Sequence, residues 1–118
     1  MIRLITCLRR RSEMTSEEFI AEWEDPKTKM LFDGAVSALQ PAKFVRNRTL
    51  VVKFNQDLME MRNSEAPFDA VVEWWWQGTQ ALNPKMETPE AKEALKALFQ
   101  HQKTFIDIEK SPSFFTVA

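Results

Sequence analysis

Between Ile2 and Arg9 the chain alternates, with Ile2, Leu4, Thr6 and Leu8 on one side of an extended segment and Arg3, Ile5, Cys7 and Arg9 on the other. Both sides carry apolar groups, which predicts a strand covered on both faces. The period then changes. Thr15-Ser16-Glu17-Glu18 has the form of a capping box: the Thr15 hydroxyl accepts from the Glu18 N–H and the Glu18 carboxylate reaches back. Phe19, Ile20 and Trp23 open an apolar stripe at helical spacing. Pro26 lacks a donor and crowds the preceding turn, so a kink or restart is expected near Asp25-Pro26. Met30, Leu31, Ala35 and Leu39 are expected to continue the buried side until Pro41 closes the helical region.

Lys43 to Phe54 reads as a second strand, with Phe44, Arg46, Arg48, Leu50 and Val52 on one face. Asn55 to Pro67 is polar, anchored by Met59 and Met61, and reads as a loop with at most a turn of helix. Phe68 to Trp76 is the clearest strand: Phe68, Ala70, Val72, Trp74 and Trp76 form an apolar face, and Asp69, Val71, Glu73, Trp75 and Gln77 a mixed one. Thr88-Pro89-Glu90 supplies a cap and a proline at the first helical position. The helix it opens carries Ala91, Leu95, Leu98, Phe99, Gln102, Phe105 and Ile106 on one side. Ser111-Pro112 ends it before a short strand over Ser113 to Val117.

The resulting order, β-α-β-β-α-β, predicts an α+β fold of ferredoxin-like plan: a four-stranded antiparallel sheet with both helices on one face. Large apolar groups on both faces of the strands then pose a problem. A monomer exposes the second set as a patch of several hundred Å², roughly the limit soluble monomers tolerate. A homodimer that packs its open sheet face against a second copy removes that patch.

Composition narrows the class. At 118 residues the chain is expected to form a single domain spanning 1–118, and two glycines with no low-complexity tract argue against linkers or disorder. Sixteen basic and 17 acidic residues leave a net charge of −1, which gives no reason to expect nucleic acid or an anionic membrane as partner. The run Arg9-Arg10-Arg11 reads as a solvated strand end. Cys7 is the only cysteine, so no intrachain disulfide forms, which fits a reducing compartment. The apolar stretch near Met1 is too short and too mixed for a secretion signal or a span, and a cytoplasmic location is expected.

Several segments, taken in order, resemble the EthD-like branch of the dimeric α+β barrel proteins. They are Ile2-Arg3-Leu4-Ile5-Thr6 with the arginine run, Met14-Thr15-Ser16-Glu17-Glu18-Phe19 with Trp23, Lys43-Phe44-Val45-Arg46-Asn47, Phe68-Asp69-Ala70-Val71-Val72-Glu73-Trp74-Trp75, and Phe105-Ile106-Asp107 with Ser111-Pro112-Ser113-Phe114. The resemblance implies a ferredoxin-like subunit and a dimer whose two sheets close into a barrel. It also implies a family that includes cofactor-free enzymes which isomerise lactones, or cyclise, dehydrate, decarboxylate or oxidise polyketide-like aromatics. Others of the family accompany degradation pathways without an assigned reaction. Many such relatives place a histidine just after the first-helix tryptophan; here Lys27 stands at roughly that place. The stretch Phe99-Gln100-His101-Gln102-Lys103-Thr104-Phe105 resembles the second-helix stretch of lactone-isomerising relatives, some of which carry a histidine there.

Chemistry at neutral pH points first to His101, the only histidine and the only side chain whose ordinary pKa lies there, although it sits at the edge of its helical stripe. Asp25 and Lys27 flank the expected break at Pro26, where side chains are free to aim into a pocket; the plainer reading is a solvated pair at a helix end. Asp107 is expected to accept from a local backbone donor. Trp23, Phe44, Trp74, Trp76 and Phe99 are the candidates for lining an apolar pocket, with core packing as the alternative for most of them. One histidine and one cysteine offer no metal-ligand spacing, and no glycine-rich phosphate loop is present, so no metal or cofactor is expected. The expected function is a cofactor-independent enzyme of isomerase or lyase type on a hydrophobic carbonyl- or phenol-bearing small molecule. The alternatives are a non-catalytic dimeric ligand-binding or accessory protein of a catabolic or biosynthetic pathway, and a cofactor-free oxidoreductase.

Overall fold

A computed structural model describes residues 1–118. Four strands, β1 (Ile2–Leu8), β2 (Lys43–Arg48), β3 (Ala70–Trp76) and β4 (Ser113–Val117), form one antiparallel sheet in the order β2-β3-β1-β4. This is the ferredoxin-like arrangement expected from the element order. Register puts Ile2 opposite Trp76, Leu4 opposite Trp74 and Leu8 opposite Ala70, so the apolar sides of β1 and β3 share one face. Helices α1 (Ser16–Glu24), α2 (Pro26–Leu39) and α5 (Pro89–Gln102) cover that face. The core between them holds Phe19, Trp23, Phe32, Leu39, Trp74, Trp76 and Leu98, with Phe105 and Ile106 closing one end. Ring contacts with centroids 4.5 to 6.1 Å apart run unbroken from Phe19 through Trp23, Phe32, Phe44 and Trp74 to Trp76.

Local rules explain the helix ends. The Thr15 hydroxyl accepts from Glu18 N at 3.1 Å while Glu18 Oε1 accepts from Thr15 N at 2.9 Å, the predicted capping box. The Pro26 break resolves into two helices: Asp25 ends α1 and caps α2, its Oδ1 accepting from Lys27 N at 2.8 Å. Thr88 caps α5 and Gln40 ends α2 in the left-handed region. Asp107 accepts from Lys110 N, as expected of a structural carboxylate. Each residue of the Arg9-Arg10-Arg11 run has a partner: Arg9 lies over the Phe68 ring, Arg10 pairs with Asp69 at 2.6 Å, and Arg11 pairs with Glu13 and bonds the Lys103 carbonyl.

Four sequence expectations are corrected. Helix α5 ends at Gln102 rather than at Ser111-Pro112, leaving Phe105 in a turn and Ile106 in a bridge to Arg10. The second strand ends at Arg48, and Lys53–Arg62, read as extended chain and loop, is a ten-residue helix, α3. It buries none of its residues and is held by local pairs, Lys53–Asp57 and Gln56–Glu60, with Asn63 as a left-handed terminator. A further helix, α4 (Thr79–Met86), contains Pro84 and has no counterpart in the sequence reading. On α2, Ala35 and Leu39 are buried and Leu31 packs against the core as expected, but Met30 is 64% exposed and Thr28 and Phe32 complete the stripe, because Phe32 packs between Trp23 and Phe44.

The open face of the sheet carries Ile5, Cys7, Val45, Val71, Trp75 and Phe114 around a polar centre. Arg3 pairs with Glu73 at 3.3 Å, and Arg3 and Lys43 lie over Trp75. That face is amphipathic rather than uniformly apolar. No helix is long and apolar enough to cross a membrane.

Candidate functional site

The sheet and its helices do not close completely. A cavity of about 570 Å³ opens between them, lined by β1 (Leu4, Thr6, Leu8), β3 (Val72, Trp74, Trp76), the start of β4 and the inner sides of α2, α4 and α5. That volume is within the roughly 300–1,000 Å³ of small-molecule sites, and most of the lining is apolar. Trp74 and Trp76, both on this lining, stack with centroids 6.1 Å apart and an interplanar angle of 2°. The Trp76 indole donates to Leu39 O at 3.0 Å. Trp74 has no such acceptor in the chain, and because no buried polar side-chain atom lacks a partner, its N–H lies on accessible surface. Thr6 and Ser113 add a hydroxyl pair 2.8 Å apart on the same lining.

The predicted site residues divide. Trp74, Trp76 and Phe99 line the cavity. Phe44 stands behind the wall, 4.5 Å from Trp74, and Trp23 lies further off with the Arg46 guanidinium 4.7 Å from its ring. His101, Asp25 and Lys27 are not among the lining residues. Asp25 is committed to the α2 cap and Lys27 is exposed.

His101 is tied down elsewhere. Its Nε2 lies 2.7 Å from the hydroxyl of Thr28, which is fully buried and donates to Glu22 O at 2.8 Å. Pro26 has no N–H to give that carbonyl, so the Thr28 hydroxyl takes over the bond the break in the helix removes. With its one proton directed at Glu22, Thr28 accepts from the imidazole. The network therefore assigns the proton of a neutral His101 to Nε2 and leaves Nδ1 as a base. Phe105 meets the ring edge-on at 5.5 Å.

Thr28, Phe32 and the Thr6–Ser113 pair were not anticipated. Only Thr28 had a local signal, a β-branched hydroxyl residue two positions after a helix-breaking proline. Elsewhere, burial raises the Cys7 thiol above its ordinary value, with Glu73 adding to the shift.

Comparison with known proteins gives a consistent picture. The EthD domain model matches residues 11–109. An ethyl tert-butyl ether D (EthD) family protein from Bacillus halodurans aligns over 100% of this chain and 98% of its own, at 15% identity and a TM-score of 0.61. A hydroxynitrile lyase from Passiflora edulis covers 98% and 93% at 12% identity and a TM-score of 0.57. A dimeric ferredoxin-like protein of unknown function from Thermobifida fusca covers 99% and 90% at 14% identity and a TM-score of 0.53. At these identities the likeness is one of fold. No curated protein matches the chain.

Proposed function

The chain belongs to the EthD family, and we propose that it is a cofactor-independent enzyme of isomerase or lyase type acting on a hydrophobic carbonyl- or phenol-bearing small molecule. The observation that carries this reading is the 570 Å³ apolar cavity lined by the stacked pair Trp74 and Trp76 with few polar groups. An aromatic or alicyclic body stacks on Trp74 and Trp76, and its oxygen accepts from the Trp74 N–H. Loss of a proton next to a carbonyl leaves charge on that oxygen, where the indole donor and the Thr6–Ser113 hydroxyls stabilise it. His101 is the acid/base of this reading. It does not itself line the cavity, so it acts in this reading through an intervening water, with Nδ1 left unprotonated by its bond to Thr28. Asp25 and Lys27 take no part in it. The lyase of this fold supports the chemistry by analogy alone.

The open sheet face supports a homodimer: Ile5, Val45, Val71 and Trp75 are half-buried and Phe114 exposed in one copy. A neighbour of the same fold is described as dimeric.

One observation favours a second reading, a binding or accessory protein without turnover: none of the three titratable candidates lines the cavity. Deuterium uptake separates the two. In D₂O, the protein is expected to exchange the α-protons of a bicyclic ketone such as 1-tetralone above the buffer rate, and His101→Gln to abolish the excess. Binding of the ketone without exchange selects the non-catalytic reading. Native mass spectrometry of the purified protein reports the oligomer and any retained ligand together.

A further inference from the structure

We propose that the ligand of this cavity carries an anionic group, a carboxylate of metabolite size, held at the mouth by Lys96 and Lys103 while its apolar body fills the interior. The proposal rests on the reading of the cavity as a small-molecule site. Among the residues that line it, Lys96 is the only charged one, and no aspartate or glutamate is present. Phe99, also lining and 43% exposed, marks where the interior meets solvent. The Lys103 ammonium lies 4.8 Å from the centre of that ring. Lys96 and Lys103 stand three residues before and four after Phe99, so the two cations flank it along one side of the α5 end.

Neither lysine is neutralised, since the five ion pairs of the chain use other residues. Two unpaired cations at the rim of a low-dielectric pocket place positive potential at its entrance. Lysine stems lie along apolar surface and keep their heads in water, so a ligand's charged end stays hydrated there while its body is desolvated. An anionic group drawn further in meets no charged partner, and the cost of stripping its water opposes that position. The geometry therefore orders the ligand, tail against Trp74 and Trp76 and charge at α5.

Naphthalene-2-acetate and naphthalene-2-acetamide have nearly the same shape and differ by one charge. Calorimetric titration of the full chain in low salt is expected to show the carboxylate bound about two- to fivefold tighter, the range exposed ion pairs contribute. The advantage should fall in 0.5 M NaCl, by screening to a Debye length of roughly 4 Å. It should approach unity in K96Q/K103Q, whose sites are solvent-exposed. In ¹H–¹⁵N spectra both probes should move the Trp74 indole signal and leave that of Trp75, on the opposite face of the sheet, in place. Equal or tighter binding of the amide, or a ratio that survives in the double variant, overturns the proposal while leaving the cavity a binding site. If neither probe binds, or the Trp74 signal stays still, the small-molecule reading fails and this inference with it.

Discussion

Replacing Thr28 by valine removes one oxygen from a fully buried position and leaves the volume almost unchanged, so the cost isolates two hydrogen bonds. One of them, to Glu22 O at 2.8 Å, supplies a donor that Pro26 cannot; that carbonyl keeps only the longer 3.3 Å contact from Asp25 N. The other holds the His101 ring at 2.7 Å, and half-buried His101 is able to turn to water when it is lost. At about 1 kcal/mol net per bond, plus a partly stranded carbonyl, Thr28→Val should destabilise the fold by about 2–3 kcal/mol. For a chain of this length that is a fall in Tm of roughly 8–12 °C. Urea titration followed by tryptophan fluorescence measures it, with Thr28→Ser as the variant that keeps the hydroxyl. The bond also couples α2 to α5. A double-mutant cycle of Thr28→Val with His101→Phe should therefore return an interaction energy of about 0.5–1 kcal/mol or more. A loss below about 0.5 kcal/mol for Thr28→Val, or strict additivity in the cycle, would refute the relay and the tautomer derived from it.

Trp76→Phe removes the indole N–H that serves Leu39 O at the end of α2 and should cost about 1–3 kcal/mol; an unmoved urea midpoint speaks against that bond. Cys7 has its thiol pKa raised, first by burial and then by Glu73. The stabilising contribution of the protonated form is therefore complete below the ordinary value and is lost as pH rises through the folded one, and alkylation by iodoacetamide near pH 8.5 should run severalfold slower than for free cysteine. Equal rates would show the thiol to be unperturbed. Ile5→Glu sets a carboxylate opposite Glu73 at the middle of the open face and should leave the protein monomeric in sedimentation at micromolar concentration; a dimer that persists places the interface elsewhere.

Much of this molecule is written in short stretches of its sequence. The capping box at Thr15, the restart at Asp25-Pro26, the Thr88-Pro89 start and the alternation of β1 and β3 depend on neighbours within a few positions, and each appears where the local pattern puts it. Those elements, in the order β-α-β-β-α-β, were enough to imply a four-stranded antiparallel sheet of ferredoxin-like plan, and the sheet is of that plan, ordered β2-β3-β1-β4. Helix α3 escaped because it buries none of its residues: Phe54, Leu58 and Met61 recur at helical spacing but lie exposed, set among polar residues that read as loop.

The site itself was decided by packing. Which side of α2 turns inward depends on Phe32 finding Trp23 and Phe44, so Thr28 became buried and Met30 did not. Trp74 and Trp23 look alike in sequence, yet one forms the cavity wall and the other a seat for Arg46, because a cavity is what remains after every other contact is made. His101 meets Thr28 across 73 residues of chain. No local pattern encodes a contact at that separation; it forms only when two helices are brought side by side on the sheet.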